Sequence, residues 1–190
     1  MHHTNESGLT PSEQKILKGC RQGKSKAQKA LYDRHAKAML GVCLRYVKDK
    51  SEAEDILQEG FIKVFKNLDK YNGKGSLTGW IYRIMVNTAL NYLRSKNKVQ
   101  FVEYDEDIPD TYNDDTVEVG YTRNQFMNAI QSLPDGYRIV FNLYIIEEYK
   151  HREIAEQLGI SINTSKTQLA KARKMLKEKL TAIKRKEKHG

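Results

Sequence analysis

Residues 149–176 constrain the fold of this chain more than any other stretch. In the first half, apolar residues such as Ile154 and Leu158 recur at helical spacing, and Gly159 then supplies a residue that takes positive φ and ends a helix. Ser161 is a good N-cap for a second helix. Two helices joined by a glycine-containing turn indicate a helix-turn-helix that reads duplex DNA. The alternative is an ordinary helical hairpin with a solvated basic face.

The second helix of this pair is predicted to be amphipathic. The apolar residues expected to face inward are Ile162, Leu169, Ala172 and Leu176. The opposite face then carries the basic and amide groups of a DNA-reading helix, namely Asn163, Thr164, Lys166, Gln168, Lys171, Arg173 and Lys174.

The composition agrees with a polyanionic partner. The chain has 33 Lys and Arg residues against 24 Asp and Glu residues, a formal net charge of +9. No apolar run approaches the roughly 20 residues of a transmembrane helix. The N-terminus lacks the basic start and apolar stretch of a secretory signal, so the protein is expected in the cytoplasm. Cys20 and Cys43 form no CxxC pair and are expected to be reduced, partly buried thiols.

The distribution of prolines and charges predicts two domains. Only three prolines occur, and helical periodicity covers the chain except for an acidic middle. The fold is therefore predicted to be all-α, with small helical domains at 10–97 and 121–181. The segment 98–120 between them is predicted to be a flexible linker. Its acidic residues are Glu103, Asp105, Glu106, Asp107, Asp110, Asp114, Asp115 and Glu118.

An acidic helix is predicted from residue 51 onward, in the stretch SEAEDILQEGFIKVFKNL. Four of its residues, three or four positions apart, lie on a face beside the buried stripe: Asp55, Gln58, Glu59 and Ile62. From composition alone this face is a solvated acidic edge. No carboxylate pair has a set of metal ligands beside it, so neither a catalytic nor a metal site is predicted here.

A glycine-containing loop at 69–79 and the helix after it carry a second nucleic-acid signal. Outside its apolar stripe, that helix presents a strip of aromatic, cationic and amide side chains: Trp80, Arg83, Asn87, Asn91, Arg94 and Lys96. Bases of unstacked single strands stack on aromatic rings and hydrogen-bond to amides, so the strip suits single-stranded nucleic acid. Trp80 could equally be a core residue.

Together these stretches resemble the extracytoplasmic-function group of bacterial sigma factors, the dissociable specificity subunits of RNA polymerase. AEDILQEGFIKVF and YNGKGSLTGWIYRIMVNTALNYLR are similar to region 2 of that family. LPDGYRIVFNLYIIEEYKHREIAEQLGISINTSKTQLAKARKML is similar to region 4. The resemblance covers roughly residues 12–180. It implies a non-enzymatic protein without a cofactor, which binds core polymerase and directs initiation at minus-10 and minus-35 promoter elements.

The resemblance also implies roles for individual residues. The motif that docks on the clamp of the largest catalytic subunit contains Asp55, Gln58, Glu59 and Phe61. The loop that receives a flipped base of the non-template strand contains Tyr71, Asn72 and Lys74. The minus-10 helix contains Asn87, Asn91 and Arg94, with Trp80 and Arg83 helping to melt or hold the strand. The minus-35 helix contains Asn163, Thr164, Lys166, Gln168, Lys171 and Arg173.

The resemblance does not fix the base read at position 168 or the identity of an inhibitory partner. Many family members have arginine where Gln168 stands, and glutamine suits adenine while arginine suits guanine, so the base read there is not fixed. The family further implies an inhibitory anti-sigma factor, although no residue pattern of this chain identifies it.

Two other functions are weighed against this one. A conventional duplex-binding regulator would need a ligand pocket or a phosphoacceptor aspartate at a strand end, and the sequence indicates neither. A gel shift on promoter duplex without polymerase separates the two. An enzyme would need a phosphate-binding glycine loop, an HExxH or GxSxG motif, or a nucleophile beside a base, and none is present. His35 and His151 are isolated in the sequence.

Overall fold

The structure is a computed structural model that describes residues 9–96 and 121–188, with side chains up to residue 185 in the second range. All regular elements in these two ranges are helical, so the all-α prediction is confirmed there. The predicted linker at 98–120 lies outside the described residues. The chain divides after Lys96 into two compact units, called unit 1 and unit 2 below. No helix in the described ranges is both long and apolar enough to cross a membrane.

Unit 1 contains helices and one short 3₁₀ turn. They are α1 (Pro11–Arg21), α2 (Ser25–Cys43), α3 (Lys50–Lys66), the turn Leu68–Lys70 and α4 (Leu77–Ser95). The helix starts follow local chemistry. Thr10 and Glu13 form a capping box at the start of α1, and Ser76 accepts the Gly79 amide at the start of α4. Asp49, two residues before the predicted start at residue 51, caps α3 by accepting the amides of Ser51 and Glu52.

The helices of unit 1 share one core. α2 packs on α1, α3 and α4, and α3 also packs on α4. Gly19 allows the close approach of α1 to α2, because a Cβ at this position would lie 2.6 Å from the Cβ of Ala27. The last turn of α1 is therefore held against the bundle, and Arg21 ends that turn.

Unit 2 is built around its longest helix. Its elements are α5 (Arg123–Gln131), α6 (Asp135–Phe141), a π-helical turn (Asn142–Ile146), α7 (His151–Leu158) and α8 (Ile162–Lys188). α8 packs against α5, α6 and α7. This arrangement presents α7 and α8 on a scaffold formed by the two preceding helices.

A buried arginine fixes the corner between α5 and α6. Arg138 donates from Nη1 to the Leu133 carbonyl at 3.0 Å and from Nη2 to Asp135 Oδ1 at 2.9 Å. Burial lowers the pKa of Arg138, and the carboxylate of Asp135 opposes that effect. A buried cation is tolerated here because it is paired and hydrogen-bonded.

Candidate nucleic-acid interface

α7 and α8 form the helix-turn-helix predicted from the sequence. Gly159 ends α7 in the left-handed conformation at φ 68°, and Ser161 Oγ accepts the Thr164 amide at 2.9 Å to begin α8. His151 Nδ1 and Ser165 Oγ lie 2.9 Å apart, so a side-chain hydrogen bond joins the first turn of α7 to α8. The turn and this bond together fix the angle at which α8 is presented.

The buried arc of α8 differs from the predicted one at three positions, although its other three predicted inward residues are buried as expected. Ile162, expected to face inward, is 45% exposed, whereas Thr164 and Gln168, expected on the outer face, are buried. Gln168 is only 2% exposed, and its Oε1 has no hydrogen-bond partner. Because α8 packs on several helices at once, its buried arc is broader than the single apolar stripe on which the prediction relied.

The other residues predicted on the outer face of α8 are at least partly accessible, and they are Asn163, Lys166, Lys171, Arg173 and Lys174. Arg173 lies with its guanidinium 5.8 Å from the centre of the Tyr144 ring, and that ring stacks on His151 with 4.4 Å between ring centres. The sequence reasoning missed Tyr144 and His151, because the former sits in an apolar run and the latter has no motif around it. An open groove of about 370 Å³ lies beside them, lined by Tyr144, Glu148, Tyr149, Lys150 and His151.

The strip on α4 is exposed as predicted. Arg83, Asn87, Asn91, Arg94 and Lys96 are exposed, and Trp80 is half-buried. The side chains from Trp80 to Arg94 recur at three- and four-residue spacing, so they follow one line along the helix. Arg94 Nη1 donates to Asn91 Oδ1 at 3.1 Å, and this bond orients the amide through its oxygen. Cations, amides and one aromatic ring thus line a single helical face.

The loop before α4 differs from the prediction at Tyr71. This residue was expected to meet a flipped base, but its side chain is 3% exposed and packs on Trp80 with 5.4 Å between ring centres. Burial raises the pKa of the Tyr71 phenol. The exposed side chains of the loop are instead Asn72 and Lys74. The Tyr71–Trp80 contact brings the loop and the α4 strip together.

The residues that the resemblance implies for polymerase docking lie partly on the surface and partly in the core. Asp55, Gln58 and Glu59 are exposed as predicted, whereas Phe61 lies on the apolar stripe predicted to be buried, is 2% exposed and packs its ring against Tyr32 and Phe65. Phe61 belongs to the core because it lies on the stripe that faces α2. The sequence reasoning named Ile62 as part of the acidic face of α3 without giving it a role, and it is 52% exposed.

The thiols of the described ranges are buried, and the carboxylates there form no metal-binding cluster. Cys20 and Cys43 are free and buried, and burial raises the pKa of Cys43 to about 12, so that thiol stays protonated. No group of three or more His, Cys, Asp or Glu residues in these ranges is arranged to hold a metal ion.

Comparisons with known proteins agree with the division of the chain into units 1 and 2. The family Sigma-70 region 2 matches residues 31–99, and Sigma-70, region 4 matches residues 123–176. The RNA polymerase sigma factor SigV of Bacillus subtilis is 31% identical over 147 residues, which are 77% of this chain and 87% of that protein. The chain belongs to the extracytoplasmic-function group of the sigma-70 family.

Other relatives cover nearly the whole length. The ECF RNA polymerase sigma-E factor of Haemophilus influenzae is 27% identical, across 90% of this chain and 97% of that protein. Among solved structures, the sigma factor RpoE of Bartonella quintana in complex with the anti-sigma factor NepR is 21% identical, across 80% of this chain and 96% of that chain, with a TM-score of 0.47. The protein is an RNA polymerase sigma factor that directs promoter-specific initiation.

With this identity, the described surfaces fall within the two matched regions. The acidic face of α3, the loop and the α4 strip lie within the region 2 match, and the helix-turn-helix lies within the region 4 match. α1 and its Arg21 precede the region 2 match, which begins at residue 31.

Proposed function

We propose that this sigma factor binds core polymerase and the melted minus-10 strand through unit 1, and the minus-35 duplex through unit 2. The α4 strip is the observation that carries the proposal. A line of cations and amides with an aromatic ring at one end offers stacking in addition to hydrogen bonding, and a helix that reads an intact duplex has no use for stacking on bases.

The surface of unit 1 proposed to bind core polymerase is the exposed face of α3. Asp55, Gln58 and Glu59 supply polar and acidic groups, and Ile62 adds an exposed apolar side chain one turn after Gln58 and Glu59. Glu59 is paired with Lys63 at 2.6 Å in the free chain, so the partner must compete with that exposed ion pair. Exposed pairs of this kind are worth only about 0.3–0.5 kcal/mol, and the competition is therefore weak.

The proposed minus-10 surface combines the loop with α4. Asn87, Asn91 and Arg94 contact the single strand, Trp80 and Arg83 hold its upstream end, and Asn72 with Lys74 receives an extruded base. Tyr71 is left out of the contacts because it is buried. Exposed amides and partly exposed rings support this assignment, since both kinds of group bind bases that have left the duplex.

The proposed minus-35 surface is the accessible face of α8. Asn163 and Arg173 would enter the major groove, with Lys166, Lys171 and Lys174 available to flanking phosphates. Thr164 and Gln168 are proposed to pack α8 against the rest of unit 2, because both are buried in the free chain.

Two substitutions on α8 are expected to act by different routes. Lys166→Ala should weaken duplex binding almost equally for all sequences and reduce the salt slope by about one, as loss of one phosphate contact does. Arg173→Ala should cost about 1–3 kcal/mol at one promoter position. Quantitative footprinting of the holoenzyme on minus-35 variants, at several salt concentrations, measures both effects.

The matched control for these variants is Lys26→Ala, which removes an equal charge from an exposed position of α2 in unit 1. It should keep the wild-type salt slope. If Lys166→Ala and Arg173→Ala both keep the wild-type slope and sequence profile, α8 is not the recognition helix.

The proposal also covers the protein's cellular location, its regulation and its lack of a catalytic role. The polymerase and the promoter are found in the bacterial cytoplasm, so this is where the protein is proposed to act. An anti-sigma factor that covers both DNA-binding units is proposed as its regulator, by analogy with the family. No catalytic role is assigned, because the arrangement of side chains serves binding.

Run-off transcription on sheared genomic DNA of the source bacterium, with mapping of RNA 5′ ends, tests the proposal. Start sites that share two upstream elements should appear only when purified core polymerase and this chain are both present. If the chain adds no start sites but shifts promoter duplex without polymerase, the conventional regulator takes its place.

A further inference from the structure

The loop at 71–76 is held in unit 1 by a residue of α1. Arg21, the last residue of α1, donates from Nη2 to the main-chain carbonyl of Tyr71 at 2.9 Å. Its Nε lies 3.8 Å from Asp69 Oδ1, and α1 also packs on the 3₁₀ turn that contains Asp69. The guanidinium therefore connects Tyr71, where the loop begins, to α1, a helix that lies outside the region 2 match.

The rest of the loop is closed by its own groups. The Tyr71 hydroxyl donates across the loop to the Gly75 carbonyl at 2.8 Å, and Asn72 Oδ1 accepts the Lys74 amide at 3.0 Å. Gly75 takes a φ of 78°, a conformation that a residue with a Cβ rarely adopts. At the exit, Ser76 Oγ accepts the Gly79 amide at 3.2 Å and so caps α4.

These contacts hold the loop in place and leave exposed the two side chains that are proposed to bind the base. Asn72 and Lys74 are exposed, whereas the phenol beneath them is buried against Trp80. A loop that is already ordered loses less conformational entropy when it binds a strand, and this preorganisation raises affinity without adding a contact.

We propose that Arg21 is a positioning residue for the minus-10 single strand: it holds the Tyr71 end of the loop in place so that Asn72 and Lys74 are presented to the extruded base. This inference rests on the proposed function of the loop. It gives α1 a part in promoter opening through the geometry of the loop.

A direct phosphate contact by Arg21 is the competing explanation, and salt dependence separates the two. A phosphate contact contributes about 0.7 to the salt slope of single-strand binding, whereas a positioning residue contributes nothing to it. Arg21→Gln removes the cation, so both explanations predict weaker binding and only one predicts a shallower slope.

The experiment uses holoenzyme assembled from core polymerase and the full chain. The probe is a labelled oligonucleotide with the non-template minus-10 strand of a promoter mapped by run-off transcription. Arg21→Gln should weaken its binding roughly five- to tenfold, since a hydrogen bond to a charged donor is lost and the loop entry is freed. The salt slope and the affinity for core polymerase should stay as in the wild type, and the thermal midpoint of the free chain should fall by only about a few degrees, because one partly exposed hydrogen bond is lost.

Two further variants sharpen the result. Tyr71→Phe keeps the ring against Trp80 but removes the hydroxyl tie to Gly75, so it should also weaken strand binding, and its effect should not add fully to that of Arg21→Gln. Arg34→Gln is the matched control, because Arg34 donates to Ser12 on α1 at 3.2 Å without touching the loop, and it should leave strand binding unchanged.

Asn72→Ala separates this inference from the function on which it rests. If Asn72→Ala weakens strand binding while Arg21→Gln and Tyr71→Phe do not, the loop binds the strand without help from α1 and the inference is wrong. A shallower salt slope in Arg21→Gln would likewise overturn it in favour of a phosphate contact. If none of the three variants changes strand binding, the proposed role of the loop fails together with the inference.

Discussion

Asp55→Lys combined with Glu59→Lys is expected to abolish assembly with core polymerase while the protein stays folded. Both side chains are exposed on α3, so each substitution should change the free energy of unfolding by no more than about 0.5 kcal/mol. At an interface, a reversed charge meets a like charge or is left unpaired, and each such clash costs several kcal/mol. Co-elution with purified core polymerase on a sizing column measures assembly, and circular dichroism measures folding.

The control for this double variant is Asp33→Lys combined with Glu178→Lys. It changes the net charge by the same amount at exposed positions outside α3, and it also breaks one i,i+4 ion pair, that of Asp33 with Lys29. It should assemble normally. Normal co-elution of the α3 variant would show that its acidic face is only solvated surface, as composition alone suggested.

Asn87→Ala combined with Asn91→Ala is expected to leave polymerase binding intact and to reduce promoter opening by about tenfold or more, since each base-edge contact is worth about 1–3 kcal/mol. Both amides are exposed on the α4 strip, one turn apart, and neither contributes to the core. Permanganate reactivity of thymines in the melted region measures opening on a mapped promoter.

A matched control is available in unit 2, where Asn124 and Asn128 are exposed at the same spacing on α5. Asn124→Ala combined with Asn128→Ala should leave thymine reactivity unchanged. Undiminished reactivity in the α4 variant as well would remove these amides from promoter opening and weaken the single-strand interpretation of the strip.

Local sequence signals predicted the parts of the fold that local chemistry decides. Ser161 caps α8 as predicted, and Gly159 takes the expected positive φ at the end of α7. Each of these features depends on residues within a few positions of one another. Such signals are readable without knowing what packs against the helix.

Packing between helices decided the parts that the sequence did not predict. Tyr71 looks like an available aromatic side chain in its loop, yet it is buried and packs against Trp80. Gln168 is buried and Ile162 is exposed, contrary to the prediction, because the several helices that pack on α8 determine which of its side chains are covered. The link from Arg21 to Tyr71 joins positions 50 residues apart, and periodicity carries no information about such a pair.

The central claim is that this chain recognises promoters as a subunit of polymerase. Anisotropy of a labelled promoter duplex, titrated with the chain alone and with the chain plus core polymerase, tests it most directly. One helix in one groove neutralises few phosphates, so the free chain should bind poorly. Core polymerase should raise the affinity by about 100-fold or more, because it allows both units to engage DNA at once. Specific binding by the free chain at nanomolar concentration, unchanged by core polymerase, would contradict the claim.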